Sequence, residues 1–258
     1  MSAADSRIVA RLRAAGCVFA EDEARILIGA ARTARELAAM TERRAAGAPL
    51  EHILGWAEFC GLRICVEPGV FVPRRRTEFL VRQAIAVARP DDVIVDLCCG
   101  AGAIAAALAA AVPGADVHAA DIDPAAVRCA RRNVPGGVYQ GDLYRPLPAW
   151  LRGRVAILAA NVPYVPGGQI GMLPREAREH EPARALDGGR DGLDVLRRVA
   201  AAAPGWLAPG GHLLIETSEG QASRAARAFE AAGLTARVAY SAGRDATAVV
   251  GRLGPGSR

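Results

Sequence analysis

The sequence predicts an α/β protein: a doubly wound, mostly parallel sheet with one antiparallel strand near the C-terminus, preceded by a small helical domain and a hairpin. Three observations point there. From residue 93 onward, short apolar runs alternate with helix-patterned stretches. The second and third of these runs close on an acid, Asp121 and Asp142. The last two runs are joined by a loop too short to hold a helix, so they should pair antiparallel.

Over residues 6–15 and 21–46, Ile8, Leu12, Ile28, Ala31 and Leu37 recur at helical spacing among arginines and acids, which predicts amphipathic helices. Gly47, Pro49, Gly55 and Gly61 then punctuate the chain, and residues 59–66 alternate as a short hairpin does. Residues 1–75 are thus expected as an N-terminal appendage and 76–258 as the main domain. A helix is predicted from Thr77 to Pro90, a buried strand over 93–97, an alanine-rich helix over 103–111 and a strand over 116–120 closing on Asp121. Asp123 and Pro124 supply an N-cap and a first-turn proline for a helix to about Asn133. A third strand over 138–140 runs toward Asp142, a fourth spans 155–160, and a fifth spans 212–216 after the turn Pro209-Gly210-Gly211. A helix over 219–232 leads to the final runs, 235–240 and 247–253. Ligands of such sheets bind at the carboxyl ends of the strands.

A length of 258 residues allows one substantial α/β domain plus an appendage, and excludes two full enzyme domains. Hydrophobic residues make up 52% and aromatics 5%, so helices packed through small side chains are expected rather than disorder. The formal charge of +5 arises entirely from arginine, with no lysine, which reads as codon bias rather than as a phosphate-binding surface. Direct nucleic-acid binding is not expected. Cys17, Cys60, Cys65, Cys98, Cys99 and Cys129 form no CxxC pair and have no histidine at zinc-ligand spacing, so they read as reduced thiols without a metal. Asp5, Arg7, Arg11 and Arg13 interrupt any signal-peptide core, and no membrane-spanning apolar run occurs, so a cytoplasmic protein without membrane contact is expected.

After the first strand, Asp96-Leu97-Cys98-Cys99-Gly100-Ala101-Gly102 lets the backbone pass close to a ligand. A dinucleotide site would need further glycines to seat a pyrophosphate on the helix N-terminus, and these are missing. Asp121 can accept hydrogen bonds from two ribose hydroxyls, because Asp123 is the better placed helix cap. Asp142 is read either as an acceptor for an adenine amino group or as a turn-forming residue after Gly141. A glycine turn, a ribose acid and a base-reading acid describe an adenosine pocket without a phosphate cradle, which suits S-adenosyl-L-methionine.

Asn161-Val162-Pro163-Tyr164 follows the fourth strand. An amide nitrogen is a poor nucleophile, so both of its N–H groups must be held while the lone pair is aimed at a methyl group. The Asn161 side-chain oxygen and the Val162 carbonyl can accept those two protons while Tyr164 packs on the flat group. An ordinary turn after a strand is the bland reading of the same tetrapeptide.

On these residues the chain resembles the protein N5-glutamine methyltransferases that modify the GGQ glutamine of peptide-chain release factors, the HemK family, whose loop reads Asn-Pro-Pro-Tyr. The resemblance spans nearly the whole chain. It includes Glu58-Phe59-Cys60-Gly61-Leu62, the segment Phe71-Val72-Pro73-Arg74 with Thr77-Glu78, Gly141-Asp142, Glu181-Pro182, and the stretch Ala185-Leu186-Asp187-Gly188-Gly189-Arg190-Asp191-Gly192-Leu193. It implies a class I methyltransferase sheet and a release factor as protein substrate. It further implies that Cys98, Cys99, Gly100, Ala101, Gly102, Asp121, Leu143 and Asn161 contact the cofactor, and that Asn161, Val162, Pro163 and Tyr164 bind the acceptor glutamine. Two positions depart from the family: Val162 replaces its first proline, and Cys98 stands where it has glycine, which brings strain if φ there is positive. The N-terminal helical part also looks shortened. Competing readings are a nucleic-acid amino methyltransferase, a small-molecule N-methyltransferase and a catalytically silent binding protein. The first is opposed by the lack of a separate target-reading domain and of basic residues interleaved with aromatics beyond Arg74-Arg75-Arg76.

Overall fold

The computed structural model describes residues 3–255. At the N-terminus, α1 (Ala3–Ala14), α2 (Ala20–Ala30) and α3 (Ala34–Ala45) pack around Leu12, Ala24, Leu27 and Met40. The helical run expected over 21–46 is divided because Thr33 caps a new helix, its Oγ1 accepting from Glu36 N at 3.1 Å. A short helix that the punctuation hid, α4 (Leu50–Leu54), lies between Pro49 at its N-cap and Gly55 in the left-handed region at its C-cap. The hairpin of β1 (Trp56–Phe59) and β2 (Leu62–Cys65) begins three residues before the stretch predicted for it, and it turns at Cys60 and Gly61, both at positive φ.

The main sheet has seven strands in the order β5-β4-β3-β6-β7-β9-β8. These are β3 (Val93–Leu97), β4 (Asp116–Asp121), β5 (Gly137–Gln140), β6 (Val155–Ala160), β7 (Leu207–Thr217), β8 (Leu234–Ser241) and β9 (Ala246–Leu253). The first five are mutually parallel, and β9 runs antiparallel to both of its neighbours. The expected antiparallel pair is therefore present, but the last strand inserts between β7 and β8 instead of lying outside them. Burial explains the order: Ala246, Ala248, Val249 and Val250 are covered, whereas β8 keeps a largely open face suited to an edge.

Helices α5 (Glu78–Ile85), α6 (Ala103–Ala111), α7 (Pro124–Ala130), α8 (Arg175–His180), α9 (Asp194–Ala202) and α10 (Ala222–Ala231) complete the fold. Asp123 caps α7, accepting from Ala125 N at 2.8 Å, and Pro124 opens it as expected. Several boundaries differ from the sequence reading. The helix predicted to reach Pro90 closes at Ile85, and α7 ends before Asn133. The residues Pro209-Gly210-Gly211 lie inside β7 at a register shift rather than in a turn before it. Residues 219–221 form a single tight turn, with Ser218 and Gln221 capping each other, before α10 starts. The amphipathic α9, which buries Leu196, Val199 and Ala200, was not anticipated. Among the described residues no helix is long and apolar enough to cross a membrane, and the six cysteines are free.

Candidate active site

The carboxyl ends of β3, β4, β5 and β6 converge on a cavity of about 620 Å³, closed from above by residues near 69–77 and 173–186. The turn after β3 has Cys98 at φ 56°, Gly100 at 54° and Gly102 at 78°. Cys98 therefore does carry the strain that its position implied, about 1–2 kcal/mol for a non-glycine residue in the left-handed region. Gly102 differs from its neighbours, because it does not line the cavity. A Cβ there would stand 2.6 Å from Val134 Cγ2 and 3.1 Å from Ala130 Cβ, so its task is to let α6 start against the end of α7.

Asp121 lines the cavity with both oxygens engaged, Oδ2 accepting from Gly100 N at 2.9 Å and Oδ1 from Asp123 N at 2.8 Å. Burial raises its pKa, and these backbone donors oppose the rise. Asp142, with its two sequence readings, is ion-paired: Arg198 Nη2 reaches its Oδ2 at 2.6 Å from α9. Leu143, at φ 51°, and Ile122, 54% exposed, add apolar walls. Ile122 escaped the sequence reading, although a large apolar residue directly after the strand-ending acid was the available signal. Asp96 is fully buried beneath the turn. Its Oδ2 accepts from Ala105 N at 3.1 Å, its Oδ1 has no partner, and burial pushes its pKa to about 8. Asn133 was also missed. It donates to the carbonyls of Cys65 and Ala101 at 2.9 and 2.8 Å and accepts from Cys65 N at 2.8 Å, which ties the hairpin to the turn after β3.

Asn161, Val162, Pro163 and Tyr164 all border the same cavity, as do Cys98, Cys99, Gly100 and Ala101. Asn161 Nδ2 donates to Thr77 Oγ1 at 3.3 Å, and both residues line the cavity. Val162 is 1% exposed and packs in the core beneath the loop. Tyr164 is held at both ends. Gln221 Nε2 donates to its carbonyl at 2.9 Å, while its hydroxyl meets Arg76 and lies 3.4 Å from Glu216 Oε1. Burial and the neighbouring Glu216 push its pKa to about 12. Residues 186–192 dock along this loop through Val165 N to Leu186 O at 3.0 Å and Gly188 N to Val165 O at 2.9 Å. A Cβ at Gly188 would lie 2.7 Å from Pro163 O, and one at Gly192 2.3 Å from Tyr164 O, so only glycine permits the contact.

Each of the four arginines lining the cavity faces a carboxylate: Arg74 Glu181 at 2.6 Å, Arg76 Glu216 at 3.2 Å, Arg184 Asp123 at 3.8 Å and Arg198 Asp142 at 2.6 Å. Asp121 has no such ion pair among the described residues. The cavity thus offers no unneutralised cation for a pyrophosphate and retains an acid, which favours an uncharged or cationic ligand.

A family model described as "Methyltransferase small domain" matches residues 61–150. A release factor glutamine methyltransferase of Geobacter sulfurreducens is 40% identical over 206 residues, covering 77% of this chain and 72% of that one. A 4-amino-L-phenylalanine/4-methylamino-L-phenylalanine methyltransferase of Streptomyces pristinaespiralis is 40% identical over 201 residues, covering 74% of this chain and 68% of that one. Among solved structures, a methyltransferase from Pyrococcus furiosus superposes with a TM-score of 0.57 at 16% identity, over 75% of this chain and 90% of its own, and shows the shared fold.

Proposed function

This chain belongs to the release factor glutamine methyltransferases, and we propose from that membership that it transfers a methyl group from S-adenosyl-L-methionine to the side-chain amide nitrogen of the GGQ glutamine of a peptide-chain release factor. The observation that supports this most directly is that Asn161, Val162, Pro163 and Tyr164 border the same cavity as Asp121 and the turn after β3.

The residues fit the cofactor. A glycine turn without a free cation, the acid Asp121 and the apolar side chains Ile122 and Leu143 suit an adenosine joined to a cationic sulfonium. S-adenosyl-L-methionine supplies an electrophilic methyl carbon when bound. Asp121 would accept from the ribose hydroxyls with the lone pairs its backbone donors leave free. Asp142, already paired to Arg198, would keep Oδ1 for the adenine amino group. The backbone of residues 98–101 would lie along the methionine portion.

Asn161 Oδ1 and the Val162 carbonyl would accept the two N–H groups of the glutamine amide, and Tyr164, fixed by Gln221 and Glu216, would pack on its plane. Held so, the nitrogen lone pair would be aimed at the methyl group that the cofactor supplies, and the amide would give up one of its two protons to solvent. Residues 1–75 would form the appendage that holds the protein substrate.

The test is to incubate the enzyme and cofactor with peptide-chain release factors and with 4-amino-L-phenylalanine, and to map products by mass spectrometry. A single added methyl on the GGQ glutamine is expected. Methylation of the free amine with none on the GGQ glutamine would overturn the proposal.

A further inference from the structure

The sheet holds the tetrapeptide 161–164 at its first residue. Asn161 follows directly on β6, whose last residue, Ala160, pairs with Leu97 and Ile215. Tyr164 has left the sheet, so its place depends on what grips the chain there. Pro163 locks one backbone angle between Val162 and Tyr164. Holding the Tyr164 peptide therefore also limits the swing of the Val162 carbonyl against the ring.

Gln221 supplies that grip from behind. It is buried at the end of the tight turn after β7 and does not line the cavity. Its Nε2 donates to Tyr164 O at 2.9 Å and to Asp191 O at 3.0 Å. Its Oε1 accepts from Ser218 Oγ at 2.7 Å, Thr217 Oγ1 at 3.3 Å and Ser218 N at 3.4 Å. Carbonyl oxygens only accept and a backbone N–H only donates, so these backbone partners admit one orientation of the amide. Gly192 makes room for it, since a Cβ there would stand 2.3 Å from Gln221 Nε2. One carboxamide thus ties the loop, the stretch docked on it and the end of β7 together, and it spends both of its donors on the first two.

We infer that Gln221 is a positioning residue for methyl transfer. Its two donors keep Tyr164 and the Val162 carbonyl in register with Asn161, while its acceptor side only caps the turn at 218–221. The inference rests on the glutamine-methylation reading for its rate readout, but the place of the Tyr164 ring can be observed without turnover. Gln221→Glu keeps the size and the accepting oxygen and exchanges the donors for a second oxygen. Ser218→Ala removes a partner from the acceptor side alone.

With fluorotyrosine incorporated and S-adenosylhomocysteine bound, the Tyr164 ¹⁹F resonance, assigned by its loss in Tyr164→Phe, is expected to move in Gln221→Glu and to stay in Ser218→Ala. In single-turnover methylation of a GGQ-containing release factor, Gln221→Glu is expected to be slower by about ten- to a hundredfold, as for a misplaced reacting group, with cofactor affinity unchanged. Its rate relative to the parent should fall further as pH rises, because a protonated carboxyl still donates to one carbonyl and a carboxylate to neither. Gln221→Met, of similar length and without charge, should behave alike in the resonance and in the rate at any one pH. Ser218→Ala should lower the melting temperature and keep the parental rate. An unmoved Tyr164 resonance in the Gln221 variants would overturn the inference whether or not any release factor is methylated. Equal slowing in Ser218→Ala and Gln221→Glu would overturn it too, by assigning Gln221 to the stability of the turn. A parent enzyme that leaves the GGQ glutamine unmodified would sink the glutamine-methylation reading, and the resonance would still decide the role of Gln221.

Discussion

Gly100 donates its backbone N–H to Asp121 Oδ2 at 2.9 Å, so the acid that ends β4 also braces the turn that follows β3. Removing the carboxylate should therefore act twice, on the ligand and on the turn. Asp121→Ala is expected to weaken S-adenosylhomocysteine binding by about 1.5–3 kcal/mol, roughly ten- to a hundredfold in Kd, measured by calorimetry. Equal affinity in parent and variant would assign Asp121 to bracing alone.

Asn161→Ala should separate chemistry from stability. Losing a group that contacts the nitrogen only along the reaction path costs on the order of a hundredfold in rate. The single bond to Thr77 contributes about 1 kcal/mol or less to the fold. Near-parental single-turnover methylation of a GGQ-containing release factor by this variant would rule out the amide-orienting mechanism.

Val162→Pro restores the loop of the resembled family. The carbonyl at 162 is common to both residues, and Val162 already precedes Pro163, which biases it to extended backbone. Unchanged cofactor affinity and methyl transfer equal to or above the parent are expected in calorimetry and kinetics. Loss of glutamine methylation in a folded variant would mean that the loop takes another shape and another acceptor.

Asp96 gives a pH prediction. With its folded pKa raised from 3.8 to about 8 by burial, the folded state binds more protons than the unfolded chain between those values, so stability falls as pH rises through that window. Asp96→Asn keeps an acceptor for Ala105 N without a titrating proton. The melting temperature of the variant should gain on the parent as pH goes from about 5 to about 9. A difference that is flat over that range would show that Asp96 titrates normally.

Local chemistry was enough to locate most of the elements and several of the positions that line the cavity. Apolar runs of strand length, the Asp123-Pro124 helix start and the glycines after residue 97 act within a few residues of themselves, so their signals survive in one dimension. The strand-ending acid Asp121 and the tetrapeptide at 161–164 were legible for the same reason, and they border one cavity. Other features required the assembled sheet. The place of β9 between β7 and β8 follows from which strand buries both faces, a comparison that only exists once the layers are stacked. The pairing of Asp142 with Arg198 joins a strand end to α9, a helix whose amphipathic pattern the sequence reading passed over. The meeting of Asn161 with Thr77, 84 residues apart, and of Tyr164 with Glu216 has no local signature, because a hydrogen bond between distant residues depends on the path of the backbone and not on spacing. Sequence by itself determined which groups are available at the strand ends. Tertiary structure decided which way their donors and acceptors point.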